Sequence, residues 1–265
     1  MTQRRLVSRR VFLKDMGRAG VALMVMGTAA CTIESDASTT SSSLGTTTTR
    51  QAPSTTSATS TTAQPGSAVG FQWQRVNLGF VSAYILYRAG EATLVDTGTG
   101  GSVPDIEAAL GQVDLGWSDV GGVIVTHLHD DHKGGLQGVL DAAGEGTPWY
   151  AGGADMGSIR ASSDGVAVVD GESVGGLTVV ATPGHTAGHI SVHDPAAGIL
   201  VAGDALIGEA GGVAGPVPRF TADMDTAIQS VKKLSGFDYE VALFGHGEPV
   251  LEGASDAVAS LAENL

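Results

Sequence analysis

Thr126–Gly135 reads THLHDDHKGG. The whole chain holds only seven histidines, and three of them fall between His127 and His132 beside Asp130 and Asp131. An apolar run, VGGVIVT, leads into the segment and has the composition of a short buried strand. In extended backbone, residues two apart face the same side, so His127 and His129 can point to one place. Asp131 and His132 follow where the chain must turn into the next helix, GLQGVLDAA. Imidazole nitrogens and carboxylate oxygens are ordinary zinc ligands. Four such donors exceed what one tetrahedral ion takes from a single loop, so the segment points to two metals.

Working outward, the chain alternates strand and helix patterns. FQWQRVNLGF and SAYILYRAG read as strands around a turn, and EATLVDTGTGG as a strand entering a Gly-rich loop. VPDIEAALGQV has helical spacing, with Pro104 tolerated in the first turn. TPWYAGG reads as a strand. GLTVVATPGH, HISVHDPAAGILVAGD and YEVALFGHG are β-rich runs, each ending in glycine with His or Asp. DMDTAIQSVKKLS is a helix capped by Asp223 or Asp225. Strands that end in His185, Asp204 and His246 suggest a sheet scaffold presenting one site from several loops.

Five stretches stand in one order: LVDTG, THLHDDHKGG as an H-x-H-x-D-H motif, TPGHTAGH, AGDAL and FGHG. Over residues 71–250 this set resembles the metallo-β-lactamase superfamily. The resemblance implies an α+β fold, a four-layer αββα sandwich of two mixed sheets flanked by helices, with metals at one edge. It also implies that His127, His129 and His185 bind a first metal and that Asp131, His132 and His246 bind a second, with Asp204 bridging both. Two zinc ions are the implied cofactors, with iron or manganese as alternatives.

The implied chemistry is attack by a metal-bridging hydroxide on an electrophilic carbonyl, phosphoryl or sulfuryl centre, with Asp131 receiving or shuttling a proton. Two dications less two carboxylates and one hydroxide leave about +1, a charge suited to an anionic small molecule. Asp96 of LVDTG is expected beside a ligand histidine, or else as a turn cap. His189 is expected either to line the pocket or to pack as a structural histidine. His193 reads as a strand histidine and Asp130 as a solvated carboxylate. Trp73, Trp149 and Phe220 are candidates for the core or the pocket wall.

Within the superfamily, the only cysteine, Cys31, lies far from the motifs, which excludes lactamase subclasses that use a cysteine ligand. Asp204 points away from the remaining dinuclear lactamases. The ligand set resembles glyoxalase II and the small lactonases and esterases related to it. Only one short helix's worth of chain follows His246, where a glyoxalase II has a helical region that binds glutathione. The leading expectation is therefore a dinuclear zinc hydrolase of a small ester, thioester or lactone. The alternatives are an iron-dependent persulfide dioxygenase, whose expected stretch after GDAL is replaced by IGEAGG, and a non-catalytic metal-bearing surface binding module.

Charge is divided sharply along the chain. Residues 1–68 hold 7 Lys and Arg against 3 Asp and Glu, a net +4, whereas 69–265 hold 7 against 25, a net −18. So acidic a domain repels phosphate backbones, which excludes nucleic acid as a natural partner. The basic part opens with a basic stretch and then AGVALMVMGTAA, apolar but short for a membrane span. SRRVFLK resembles a twin-arginine export signal, with Arg9 and Arg10 as the pair. TAAC resembles a lipoprotein box that would place a lipid on Cys31. Thr28 stands where such boxes carry an aliphatic residue, so ordinary cleavage near TAA stays open. Residues 32–68 are dominated by Ser and Thr and should form a disordered stalk. The expected organisation is a signal at 1–31, a stalk at 32–68 and a hydrolase domain at 69–265. The expected location is the outer face of the cytoplasmic membrane, held by the lipid, or otherwise the periplasm or the extracellular space. Oligomeric state is not legible.

Overall fold

The computed structural model describes residues 70–210 and 212–265. The signal, Cys31 and the stalk lie outside these residues. Two sheets make up the scaffold, and the alternation of side chains along each strand assigns every apolar residue to a layer. The first sheet runs β1 (Gln72–Asn77), β2 (Ser82–Arg88), β3 (Glu91–Val95), β4 (Val120–Val125), β5 (Trp149–Gly152) and β6 (Val166–Val168) in spatial order. Pairing is antiparallel from β1 to β3 and parallel from β3 to β6. The second has the order β13 (Val241–Phe244), β10 (Ile199–Gly203), β9 (Ile190–Asp194), β8 (Leu177–Ala181) and β7 (Ser173–Val174), with only β10 and β13 parallel.

Successive side chains on a strand face opposite ways. In β2, Ala83 and Ile85 face outward beneath α1 (Val103–Gln112) and α3 (Leu136–Ala143), with the short α2 (Asp130–Lys133) preceding α3, while Tyr84 and Leu86 face the second sheet. β4 repeats the division: Val123 and Val125 lie under the helices and Ile124 lies between the sheets. In the second sheet, Val201 and Leu243 point into the middle layer, whereas Leu200, Ala202 and Ala242 meet Val231 and Leu234 of α4 (Met224–Leu234) and Val258 of α5 (Ala254–Glu263). The result is the αββα sandwich that the motif order implies. Trp149 belongs to the core at 2% exposure, and Trp73 packs partly buried between the sheets.

Some local readings resolve or change. Asp223 is the cap of α4, its carboxylate accepting from Thr226 N at 3.0 Å, while Asp225 sits in the first turn. The β-rich run HISVHDPAAGILVAGD resolves into two strands, β9 and β10, with Asp194 turning the chain between them by accepting from Ala196 N at 2.9 Å. Ile207–Glu209 (β11) pairs antiparallel with Gly212–Ala214 (β12), a short glycine-rich pairing that shows no periodicity in the sequence. No helix among the described residues is long and apolar enough to cross a membrane.

Candidate metal centre

The site forms where β3, β4, β10 and β13 all end at the same edge, joined by the loop between β8 and β9. β4 delivers Thr126 and then His127–Asp131, while β10 delivers Asp204 and β13 delivers His246. The sheets are stitched together there. Ile190 N donates to Thr126 O at 2.9 Å, and Ser82 N donates to Gly245 O at 2.8 Å.

Two donor sets result. His127, His129, His185 and Asp204 offer ligand atoms within 4.8 Å of one another, and so do Asp131, His132 and His246. His129 Nδ1 lies 3.0 Å from His127 Nε2 and 2.9 Å from His185 Nε2, so three imidazoles aim at one point. Asp204 stands between the sets: Oδ2 is 3.4 Å from His185 Nε2 and 3.3 Å from His246 Nε2, and Oδ1 is 3.4 Å from His132 Nε2. All seven sequence-predicted donors thus come together. Gly245 makes room for this approach, because a Cβ there would strike Asp204 Oδ1 and the His132 ring.

The far ring nitrogens of His127, His132 and His246 are held in place. His132 Nδ1 donates to Asp96 Oδ2 at 2.7 Å, leaving Nε2 free toward the second set. Asp96 also accepts from Thr126 N at 2.7 Å and from Thr126 Oγ1, which lies 3.0 Å from His127 Nδ1. Thr97, the next residue of LVDTG, donates from N and Oγ1 to His132 O at 2.8 and 2.9 Å. His246 Nδ1 donates to Phe80 O at 2.6 Å. Such outer contacts orient ligands and raise their basicity.

Divalent metal suits these residues on the site's own hydrogen-bond accounting. His132 Nε2 and Asp204 Oδ1 are buried without any hydrogen-bond partner, although buried polar atoms almost always have one. A cation between the sets satisfies both, together with the three lone pairs converging from His127, His129 and His185.

Electrostatics divide the histidines. Burial pushes His127 and His129 below their ordinary range and takes His185 down to about 4. Burial alone would also lower His132, but Asp96 and Asp204 outweigh it and hold the ring well above 6.5. Hydrogen bonds to Asp131 and Asp204 push His246 up to about 10. Burial would raise Asp131 and Asp204, yet the neighbouring histidines hold both below the usual carboxylate range, led by the hydrogen bond from His246 at Asp131 and by the charge of His132 at Asp204.

His189 does not line the cavity. It is fully buried, and its Nε2 accepts from Asp204 N at 3.0 Å while Nδ1 donates to Thr182 Oγ1 at 2.8 Å. Burial takes it down to about 3, the neutral form this pairing needs. Gly203, at φ +57°, is what lets the ring reach the Asp204 backbone. His193 Nε2 contacts Asp238 O, away from the donor sets. Asp130 lies at the rim, paired with Lys133 at 2.6 Å.

Sequence reading missed Asp155. Buried after the end of β5, it accepts from Leu128 N at 3.0 Å, Thr186 Oγ1 at 2.6 Å and Gly188 N at 2.8 Å. It therefore ties the His127–His129 loop to the His185 loop. The only hint in the chain is that AGGAD also ends a strand in glycine and aspartate.

A family model for the metallo-beta-lactamase superfamily matches residues 76–246, from β1 through the last histidine of the site. The chain belongs to the metallo-beta-lactamase superfamily. Among curated relatives, a probable metallo-hydrolase, YflN of Bacillus subtilis (strain 168), is 42% identical over 82 residues, covering 27% of this chain and 31% of the relative. The hydroxyacylglutathione hydrolase of Dechloromonas aromatica (strain RCB) is 30% identical over 155 residues, covering 58% of this chain and 53% of that one. Similarity thus spans about a third of the first relative's length and about half of the second's. A metallo-beta-lactamase family protein of Thermus thermophilus superposes with a TM-score of 0.58 at 24% identity, over 74% of this chain and 79% of that one. This last likeness speaks to the fold.

Proposed function

We propose that this superfamily member is a dinuclear zinc hydrolase of a small ester, thioester or lactone, on the glyoxalase II and small-lactonase side of the family. The observation that carries the reading is a pair of donor sets sharing Asp204 beneath an open cavity of about 550 Å3. The relatives named as a metallo-hydrolase and a hydroxyacylglutathione hydrolase support the reaction class.

In this reading His127, His129 and His185 would hold the first ion and Asp131, His132 and His246 the second, with Asp204 available to both. The chemistry a zinc pair supplies when bound is Lewis acidity and hydroxide at neutral pH. Asp131 lines the cavity, where its carboxylate would ligate the second ion and would be placed to receive or shuttle a proton. Asp96 and His189 act through other residues: Asp96 orients His132, and His189 fixes the backbone of Asp204. The composition of 1–68 supports export by a twin-arginine-type route, with a lipid on Cys31 and a Ser/Thr stalk carrying the domain outside the cytoplasm.

Metal analysis of the purified full-length chain should give two zinc per chain, and a panel of esters, thioesters and lactones should include at least one that is turned over. A single iron with oxygen consumption would replace this reading with a dioxygenase. Bound metal with no turnover on the whole panel would replace it with a binding module. Asp131→Ala should abolish hydrolysis while the circular dichroism spectrum is kept, and full activity in that variant would sink the mechanism. Changing Arg9 and Arg10 to Lys should block export of a fused reporter, and undiminished export would remove the route.

A further inference from the structure

Outside the donor sets, the cavity wall is Phe80, Asp130, Ile207, Val217, Arg219 and Phe220. Six large hydrophobic side chains are exposed among the described residues, and two of them, Phe80 at 65% and Phe220 at 54%, stand on this one wall. Exposed apolar surface grouped at a cavity marks a surface awaiting a ligand. Neither ring is on a loose tether. The Phe80 carbonyl is tied to His246 Nδ1 at 2.6 Å, and its ring stacks on the imidazole at 6.4 Å between centroids. Phe220 closes a single helical turn, Pro218–Phe220, with its N–H donating to Val217 O at 3.0 Å.

Arg219 is the only Lys or Arg on this wall. Its guanidinium lies 4.3 Å over the Phe220 ring, and none of the ion pairs among the described residues involves it. Asp130, the one wall carboxylate outside the donor sets, is already matched by Lys133 at 2.6 Å. The wall therefore offers two exposed aromatic rings and one positive charge that has no ion-pair partner among the described residues. The same Arg219–Phe220 ridge borders a second cleft of about 350 Å3 that also reaches His129 and His185, so a ligand lying along the ridge keeps its reactive bond at the donor sets.

We propose that the substrate is a monoanionic ester, thioester or lactone bearing an aryl or branched alkyl group. The apolar group packs against Phe80 and Phe220, and the anionic group pairs with Arg219. The proposal rests on the hydrolase reading above. The reaction adds water to the acyl carbon and breaks the acyl C–O or C–S bond. The leaving oxygen or sulfur gains a proton, and the new carboxylic acid releases one to solvent.

The test uses two isosteric aryl acetates, 4-acetoxyphenylacetate and its neutral amide, with the zinc-loaded full-length chain. The wild type should show a KM about tenfold lower for the carboxylate, the size of one charge-assisted contact. In Arg219→Gln the ratio of the two KM values should fall to about one, Arg219→Lys should keep part of it, and Phe220→Ala should raise KM for both esters. Equal KM values in the wild type, or a preference that survives Arg219→Gln, would overturn the proposal. Calorimetric titration with the corresponding phenols, 4-hydroxyphenylacetate and its amide, gives a readout independent of turnover. Tighter binding of the carboxylate, lost in Arg219→Gln, supports the assignment even if neither ester is hydrolysed, and the hydrolase reading is then decided separately by the ester, thioester and lactone panel. Equal binding of the two phenols by the wild type overturns the assignment.

Discussion

Asp96 contacts one histidine of each donor set, His132 directly and His127 through Thr126 Oγ1. It does so in left-handed backbone, φ +64°, a conformation that costs on the order of 1–3 kcal/mol in a non-glycine residue. Asp96→Asn keeps the shape and removes the charge. Zinc affinity should fall roughly 10- to 100-fold in competition with a chromophoric chelator, the usual effect of losing such a contact. An unchanged affinity would show that Asp96 only shapes the turn. The histidines also set a pH profile for the metal-free chain. His127, His129, His185 and His189 have folded-state pKa values below 6.5, so the unfolded chain binds more protons as pH falls through 6.5 and stability drops. His132 and His246 are shifted the other way. Their contribution is complete below 6.5 and is lost as pH rises from 6.5 through about 10, the His246 value. Thermal midpoints should therefore peak near pH 6.5. Zinc, which displaces those protons, should flatten the alkaline side. A midpoint that rises steadily to pH 10 without metal would contradict the assignment of His132 and His246.

Loops rather than strands carry most donors, and Asp155 joins the two that matter. Asp155→Ala would leave the N–H groups of Leu128 and Gly188 and the hydroxyl of Thr186 without their acceptor. Each buried orphan costs roughly 1–3 kcal/mol, so the variant should unfold well below the wild-type temperature and lose metal first from the His127, His129 and His185 set. Asp155→Asn, which keeps an acceptor oxygen, should be milder in both respects. Equal zinc content and melting temperature in wild type and Asp155→Ala would discard the bridging role. At this scale the strands were legible as short apolar runs rich in β-formers, as in SAYILYR, and the helices by their 3.6-residue period, as in MDTAIQSVKKL. The β11–β12 pairing was not, since Ile207–Glu209 and Gly212–Ala214 are too short and glycine-rich to show a period. Asp155 was equally hidden, because its partners lie 27 to 33 residues away and no motif marks it.

The layered core brings the strand ends to one edge, so the donor geometry depends on residues far from it. Leu177 is fully buried between the sheets with Val95, Ile124, Val192 and Val201. Leu177→Ala should cost roughly 2–5 kcal/mol in chemical denaturation and leave the metal content per chain at the wild-type value in the fraction that stays folded. A loss below about 1 kcal/mol would mean that the middle layer repacks freely, against the close packing expected of a protein interior. The sequence by itself determined which atoms can ligate, since residue type decides donor chemistry and H-x-H-x-D-H spacing decides which neighbours face together. It also determined the layers, because strand alternation sorts apolar side chains between two faces. Only the tertiary structure decided which ring nitrogen of each histidine is free, that His189 supports the Asp204 backbone instead of lining the cavity, and that Phe80, Arg219 and Phe220 share one wall. Those outcomes depend on contacts between separate segments, from His189 with Asp204, 15 residues apart, to Phe80 with His246, 166 apart. They are set by how two sheets pack, and local spacing carries no record of that.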